Sequence, residues 1–225
     1  SKFDNVLDKY WEFDDTLHKK LINLRNEIVT KDKLIKFSNE LKILERELTI
    51  FHSRIVNEII SNYTGKIDLI GFHGQTIFHE PGNRISKQLG DGGLLSQLTK
   101  KKVIYDFRKN DLQNGGQGAP LTPIFHNLLA NNIFNEFKGS FSNILNIGGI
   151  SNITKTVMNK DGSKNKIEAF DIGPGNCLID EWMRKNSNKK FDKNGLTGES
   201  GVNNQLLFNQ AIENFNFNSY KNSLD

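Results

Sequence analysis

The sequence predicts an α/β fold in two domains, on three observations. Apolar residues recur at helical spacing through the first sixty positions, and short apolar runs with the character of buried strands follow. From Phe141 onward three segments alternate apolar and polar residues in the period of two that marks a half-buried sheet.

Taken in order, a helix is expected around Asp15 to Val29. One long amphipathic helix should run from Asp32 to about Ser61, because Leu34, Phe37, Leu41, Leu44, Leu48, Phe51, Ile55 and Ile59 are spaced by three and four. Gly65 stops it where the pattern changes to IDLIGF. The apolar seam suits packing against the domain's own sheet and leaves a homodimer open. Ile67 to Phe72 and Val103 to Phe107 read as buried strands with a helical LLSQL segment between them. Pro120 to Phe134 reads as a helix with Pro near its start. FSNILNI, SNITKTVM and KIEAF then form a meander joined by GGI and NKDGSKN, followed by GPGN and the helix CLIDEWMRK. A domain boundary is expected at 135–140, giving a first domain over 1–138 and the start of a second over 139–225.

Composition narrows the function classes. The 225 residues are 36% hydrophobic with 16 Phe, enough for a sizeable core without disulfides or structural metal. A single cysteine, Cys177, allows no internal bridge and suits a reducing cytoplasm. No run approaches the roughly 20 apolar residues of a membrane span, and the first residues lack a signal peptide's apolar stretch. The net charge of +4 is spread among acidic residues, with only Lys100 to Lys102 forming a basic run, so no nucleic-acid surface is expected.

Four clusters carry the candidate chemistry. ILNIGGISN places Gly148 and Gly149 between two strands, where successive N–H groups would suit phosphate oxygens, although taken alone the pair is better explained by a plain hairpin turn. FDIGPGN delivers Asp171 to a strand end before a Gly-Pro-Gly turn that opens a helix. Asp171 is there either a catalytic carboxylate or a cap, and Cys177 a small packing residue. GFHGQTIFHEP gathers His73, Gln75, Thr76 and His79, whose amides and hydroxyls suit sugar hydroxyls; the six-residue spacing of the histidines is poor for zinc. In YDFRKNDLQNGGQGAPLTPIFH, Arg108 can anchor an acidic group or pair with Asp111.

In this order the segments GFHGQTIFHEP, QLGDGGLLSQLTKKKVIYDFRKND, GGQGAPLTPIFH, LNIGGISNIT and FDIGPGNCLIDEW resemble the anhydro-N-acetylmuramic acid kinase family, over about Asp68 to Gly201. Fainter similarity extends to the early helices and to YKNSLD. The resemblance implies the ribonuclease-H-like two-domain fold of the hexokinase and actin-like ATPases, expected here to be incomplete at both ends. The family's Gly-Thr-Ser-x-Asp-Gly loop and its adenine-binding segment do not occur in these residues, so the chain alone is expected to be inactive.

The resemblance further implies that Asp171 is the catalytic base and that Gln75, Thr76 and Arg108 face the sugar. Gly148, Gly149 and Asn152, with Gly173, Gly175 and Asn176, would lie near the nucleotide phosphates. It implies ATP with Mg2+, and a cytoplasmic kinase that opens 1,6-anhydro-N-acetylmuramic acid with water and phosphorylates it in peptidoglycan recycling. No protein metal site is expected. Lys109 and Asn110 stand where members often carry further arginines. A hydrolase of anhydro sugars or an inactive fragment are the alternatives.

Overall fold

A computed structural model describes residues 4–137, 140–159 and 165–214. The chain divides into two compact units, Ser1–Ala119 and Pro120–Asp225.

In the first unit, helix α1 (Asp15–Glu27) begins where Asp14 Oδ1 accepts the Leu17 N–H at 2.9 Å. Its spacing buries Leu17, Leu21 and Leu24 on one face. The long helix read from the sequence is two helices, α2 (Lys31–Lys36) and α3 (Ser38–Asn62), broken at Phe37, which leaves helical geometry at φ −93°, ψ 20°. Leu41, Leu44 and Leu48 of α3 close the core against α1 together with Ile28, Ile77 and Leu89, and Phe37 packs on the same cluster.

Strand β1 (Leu69–Gly71) leads into a hairpin of β2 (Gln75–Glu80) and β3 (Ile85–Leu89), then α4 (Gly92–Thr99) and β4 (Lys102–Ile104), which pairs parallel with β1. The β2–β3 hairpin is an element that sequence periodicity did not reveal. A register shift between Thr76 and Phe78 interrupts its alternation, and Ser86, Lys87 and Gln88 give β3 a loop-like composition. The apolar run Val103 to Phe107 is strand only as far as Ile104, and Phe107 opens α5 (Phe107–Gln113).

Helix α3 fixes the exit of the hairpin through polar side chains. Glu45 Oε1 accepts from the Gly90 N–H at 3.2 Å and from Lys87 Nζ at 2.8 Å, and Thr49 Oγ1 accepts the Asp91 N–H at 3.0 Å. Asp91 in turn caps α4 through the Leu94 N–H at 2.9 Å. The entry to the hairpin needs Gly74, whose φ is +69° and whose Cβ would collide with the Leu89 carbonyl oxygen.

The second unit holds α6 (Thr122–Phe137) and the antiparallel meander β5 (Phe141–Ile147), β6 (Ile150–Val157) and β7 (Lys166–Pro174), as the alternation predicts. Helix α7 (Cys177–Asn186) follows the glycine turn, and α8 (Leu196–Glu199) and α9 (Gln205–Asn214) complete the described chain. Helix α6 packs on the meander, with His126 Nδ1 2.7 Å from Thr154 Oγ1. By its contacts it goes with the sheet, in the compact unit that begins at Pro120. YKNSLD lies outside the described residues.

Candidate functional site

The meander's register creates a polar row. Asn152 on β6 pairs with Asn146 on β5 on one side and with Asp171 on β7 on the other. Directly opposed residues point to the same face, so two amides and a carboxylate line one face at the glycine-turn end of the sheet. Farther along that face Thr154 and Thr156 are buried, and His126 reaches Thr154 from α6. Burial lowers the pKa of His126. Asn152 and Asp171 are both half-buried.

Beyond this row the register shifts. Asp171 pairs with Asn152 but Gly173 pairs with Ser151, so Ile172 is an extra residue and β7 bulges immediately after the carboxylate. Gly173 is buried with φ +149°, a conformation that favours glycine. The chain then crosses the β5–β6 turn. The Gly175 N–H donates to the Gly149 carbonyl at 2.9 Å, and the Asn176 N–H to the Gly148 carbonyl at 2.7 Å. Cys177 N–H also donates to Gly149, at 3.3 Å, and Asn176 Nδ2 to the Ile147 carbonyl at 3.4 Å.

This clasp separates the four glycines into two kinds. Gly175 is required internally, because a Cβ would collide with the Gly148 carbonyl oxygen and stand 2.7 Å from Ser151 Oγ. Gly148 and Gly149 are different. Neither has a left-handed φ, a Cβ on Gly148 would make only ordinary contacts, and one on Gly149 would meet nothing within 4 Å. The plain-turn explanation of Gly-Gly rests on positive φ, and here that requirement is absent. The amides of Gly175 and Asn176, assigned from the sequence to phosphate, are engaged in holding the two turns together.

In the first unit, Gln75 and Thr76 open β2, where Thr76 pairs with Gln88 and lies 3.4 Å from Gln88 Nε2. Gln88, Lys87, Glu45, Asp106 and Lys109 are among the residues lining a pocket of about 380 Å³, and of these side chains sequence reasoning singled out Lys109 alone. They come from α3, from β3 some 42 residues later and from the start of α5 some 18 residues beyond that, and the hairpin, itself missed, brings β3 to the others. Arg108 lies in the first turn of α5, its Nε 3.3 Å from His73 Nε2. Asp111 Oδ2 accepts the Gly118 N–H at 2.7 Å and so pins the glycine-rich loop after α5. His79 Nδ1 lies 3.0 Å from Ser86 Oγ across the hairpin. Among the described residues, no group of three or more His, Cys, Asp or Glu side chains could hold a metal ion.

The fold and these sites define a mixed α/β protein with its polar side chains gathered at strand ends, where ligands of α/β proteins bind. The family model for anhydro-N-acetylmuramic acid kinase matches residues 2–221. The chain belongs to that family. It is 48% identical over 217 residues to the anhydro-N-acetylmuramic acid kinase of Pelagibacter ubique, covering 96% of this chain and 56% of the relative. The enzyme of the same name from Agrobacterium fabrum is 44% identical over 160 residues, 70% of this chain and 41% of the relative. That of Brucella canis is 40% identical over 189 residues, 82% and 49%. The chain thus spans about half the length of the curated relatives it matches.

Proposed function

We propose that the protein containing this chain is an ATP-dependent kinase that opens 1,6-anhydro-N-acetylmuramic acid with water and phosphorylates it to N-acetylmuramic acid 6-phosphate, in the cytoplasm, during peptidoglycan recycling. Family membership supports the reaction. The observation that carries the site is the Asn152–Asp171 pair beside a glycine turn whose glycines have no internal reason to be glycine.

In this reading Asp171 takes a proton from water as the water oxygen bonds to the anomeric carbon. The C1–O6 bond breaks, and O6 attacks the γ-phosphorus of ATP as the bond to the β-phosphate oxygen breaks and ADP leaves. Catalysis of this kind depends on in-line positioning and on neutralising the phosphoryl charge. Asn152 orients the carboxylate from the opposite strand, while Gly148 and Gly149 allow phosphate to approach the backbone. Gly173 and Gly175 shape the bulge and clasp behind that turn, and Asn176 ties it to Ile147. Gln75, Thr76 and Arg108 hold the sugar. Magnesium would arrive as the ion carried by ATP, a substrate held largely by phosphate oxygens.

Turnover in ¹⁸O-labelled water tests this reaction. The full-length protein should yield a product with the label at C1 and phosphate on O6. Labelled sugar without phosphate or ATP consumption would make it a hydrolase instead.

A further inference from the structure

We infer that His73 is a positioning residue for Arg108, fixing the guanidinium that receives the acidic group of the substrate. The proposal rests on the sugar-binding role proposed above for Arg108. Two contacts carry it. His73 Nδ1 lies 3.0 Å from the Gly74 carbonyl oxygen, and its Nε2 lies 3.3 Å from Arg108 Nε.

A carbonyl oxygen only accepts and an arginine Nε–H only donates. Both contacts are therefore satisfied by a single form of the ring, the neutral tautomer with its proton on Nδ1 and its lone pair on Nε2. The backbone selects that tautomer, much as a second partner sets the ring of a metal-bound histidine. Gly74 owes its place to its positive φ and to the close approach of the Leu89 carbonyl, so the accepting oxygen is fixed by the hairpin entry. His73 transmits that fixed position to a side chain 35 residues later in the chain.

The consequence for recognition is geometric. A free arginine side chain carries about 2 kcal/mol of rotamer entropy, which it must lose to meet a carboxylate in the fork geometry. Holding Nε beforehand sets the guanidinium plane and removes part of that loss. The substrate class this favours is a sugar bearing a carboxylate, as the lactyl ether of N-acetylmuramic acid does. Lysine could not serve here, because it lacks the planar fork that matches a carboxylate.

The test uses the full-length protein and compares His73→Phe, which keeps the ring's bulk without an acceptor, with His73→Gln, whose amide oxygen can accept from Nε. His73→Phe should raise KM for the anhydro sugar about tenfold, as expected for losing a hydrogen bond to a charged group, with kcat and thermal midpoint little changed. His73→Gln should recover most of that loss. In an Arg108→Ala background, His73→Phe should add nothing, since both changes remove one function. A wild-type KM in His73→Phe, additive losses in the double variant, or equal losses in Phe and Gln variants would each overturn the proposal. Absence of sugar phosphorylation by the wild-type protein is a separate result: it would defeat the proposed reaction, and this inference with it.

Discussion

Asn152 on β6 stands directly opposite Asp171 on β7, one residue before the register shifts and the strand bulges. The pairing holds an amide beside a carboxylate at the last regular position of the sheet. An amide can donate to the carboxylate without adding charge, whereas a second carboxylate would oppose its ionisation. Asn152→Asp should therefore move the acid limb of the kcat profile of the full-length enzyme to higher pH. An unmoved limb in a folded, active variant would separate Asn152 from the base.

The glycines divide by the reason each is glycine. Gly175→Ala forces a Cβ against the Gly148 carbonyl and should cost about 1–3 kcal/mol of stability, the usual range for overpacking. Gly149→Val places its Cβ in open space, so denaturation should be nearly unchanged. Calorimetric titration should instead show ATP binding weakened and sugar binding retained. Unchanged ATP affinity in Gly149→Val would return the pair to a simple turn.

Core stability in the first unit rests on the α1–α3 contact, where Leu48 is fully buried. Leu48→Ala should destabilise by about 2–5 kcal/mol, the transfer and cavity cost of a buried leucine. Urea denaturation followed by circular dichroism measures it. A loss below 1 kcal/mol would mean that the helix pair collapses readily around the cavity, a softer core than the burial of Leu48 implies.

A pH dependence follows from His52, which sits among Phe13, Phe51 and Phe72 with ring centroids 5.1 to 6.1 Å away. Burial lowers its pKa below the ordinary 6.5, partly offset by the hydrogen bond to the Leu48 carbonyl. The folded state therefore binds the proton more weakly than the unfolded chain does. Stability from this group is complete above pH 6.5 and is lost as the pH falls from there through the folded value. Replacing His52 with Phe should flatten the acid side of the stability profile. His126, lowered by the same cause, should contribute with the same sign.

Much of this was legible in the sequence, for a physical reason. The helices α1 and α3 bury one face each, so their period of 3.6 was visible in composition, and the meander was visible in the alternation of its residues even though β5 leaves Phe141, Leu145 and Ile147 exposed. The β2–β3 hairpin was not, because its bulge breaks the alternation and its polar residues face a pocket. The break at Phe37 was also hidden, since an apolar residue there satisfies the helical spacing whether or not the backbone continues. At the candidate site, Asp171 and the two glycine turns were identifiable as motifs. Their mutual arrangement was not: that Gly175 and Asn176 spend their amides on Gly148 and Gly149, or that His73 meets Arg108, depends on contacts between segments 26 to 35 residues apart.

The most direct measurement is the turnover of Asp171→Asn in the full-length protein, with ATP and 1,6-anhydro-N-acetylmuramic acid as substrates. Asparagine preserves the size of the side chain and its place opposite Asn152, so the fold and nucleotide affinity should survive, but it cannot accept the proton of the attacking water. Loss of a general base costs about 10²–10⁴ in rate, and linking ring opening to phosphoryl transfer should place this variant at the upper end. A folded Asp171→Asn that binds ATP but shows a kcat lowered about a thousandfold or more is the predicted result. Retention of more than about a tenth of wild-type turnover would contradict the assignment of Asp171 as the base.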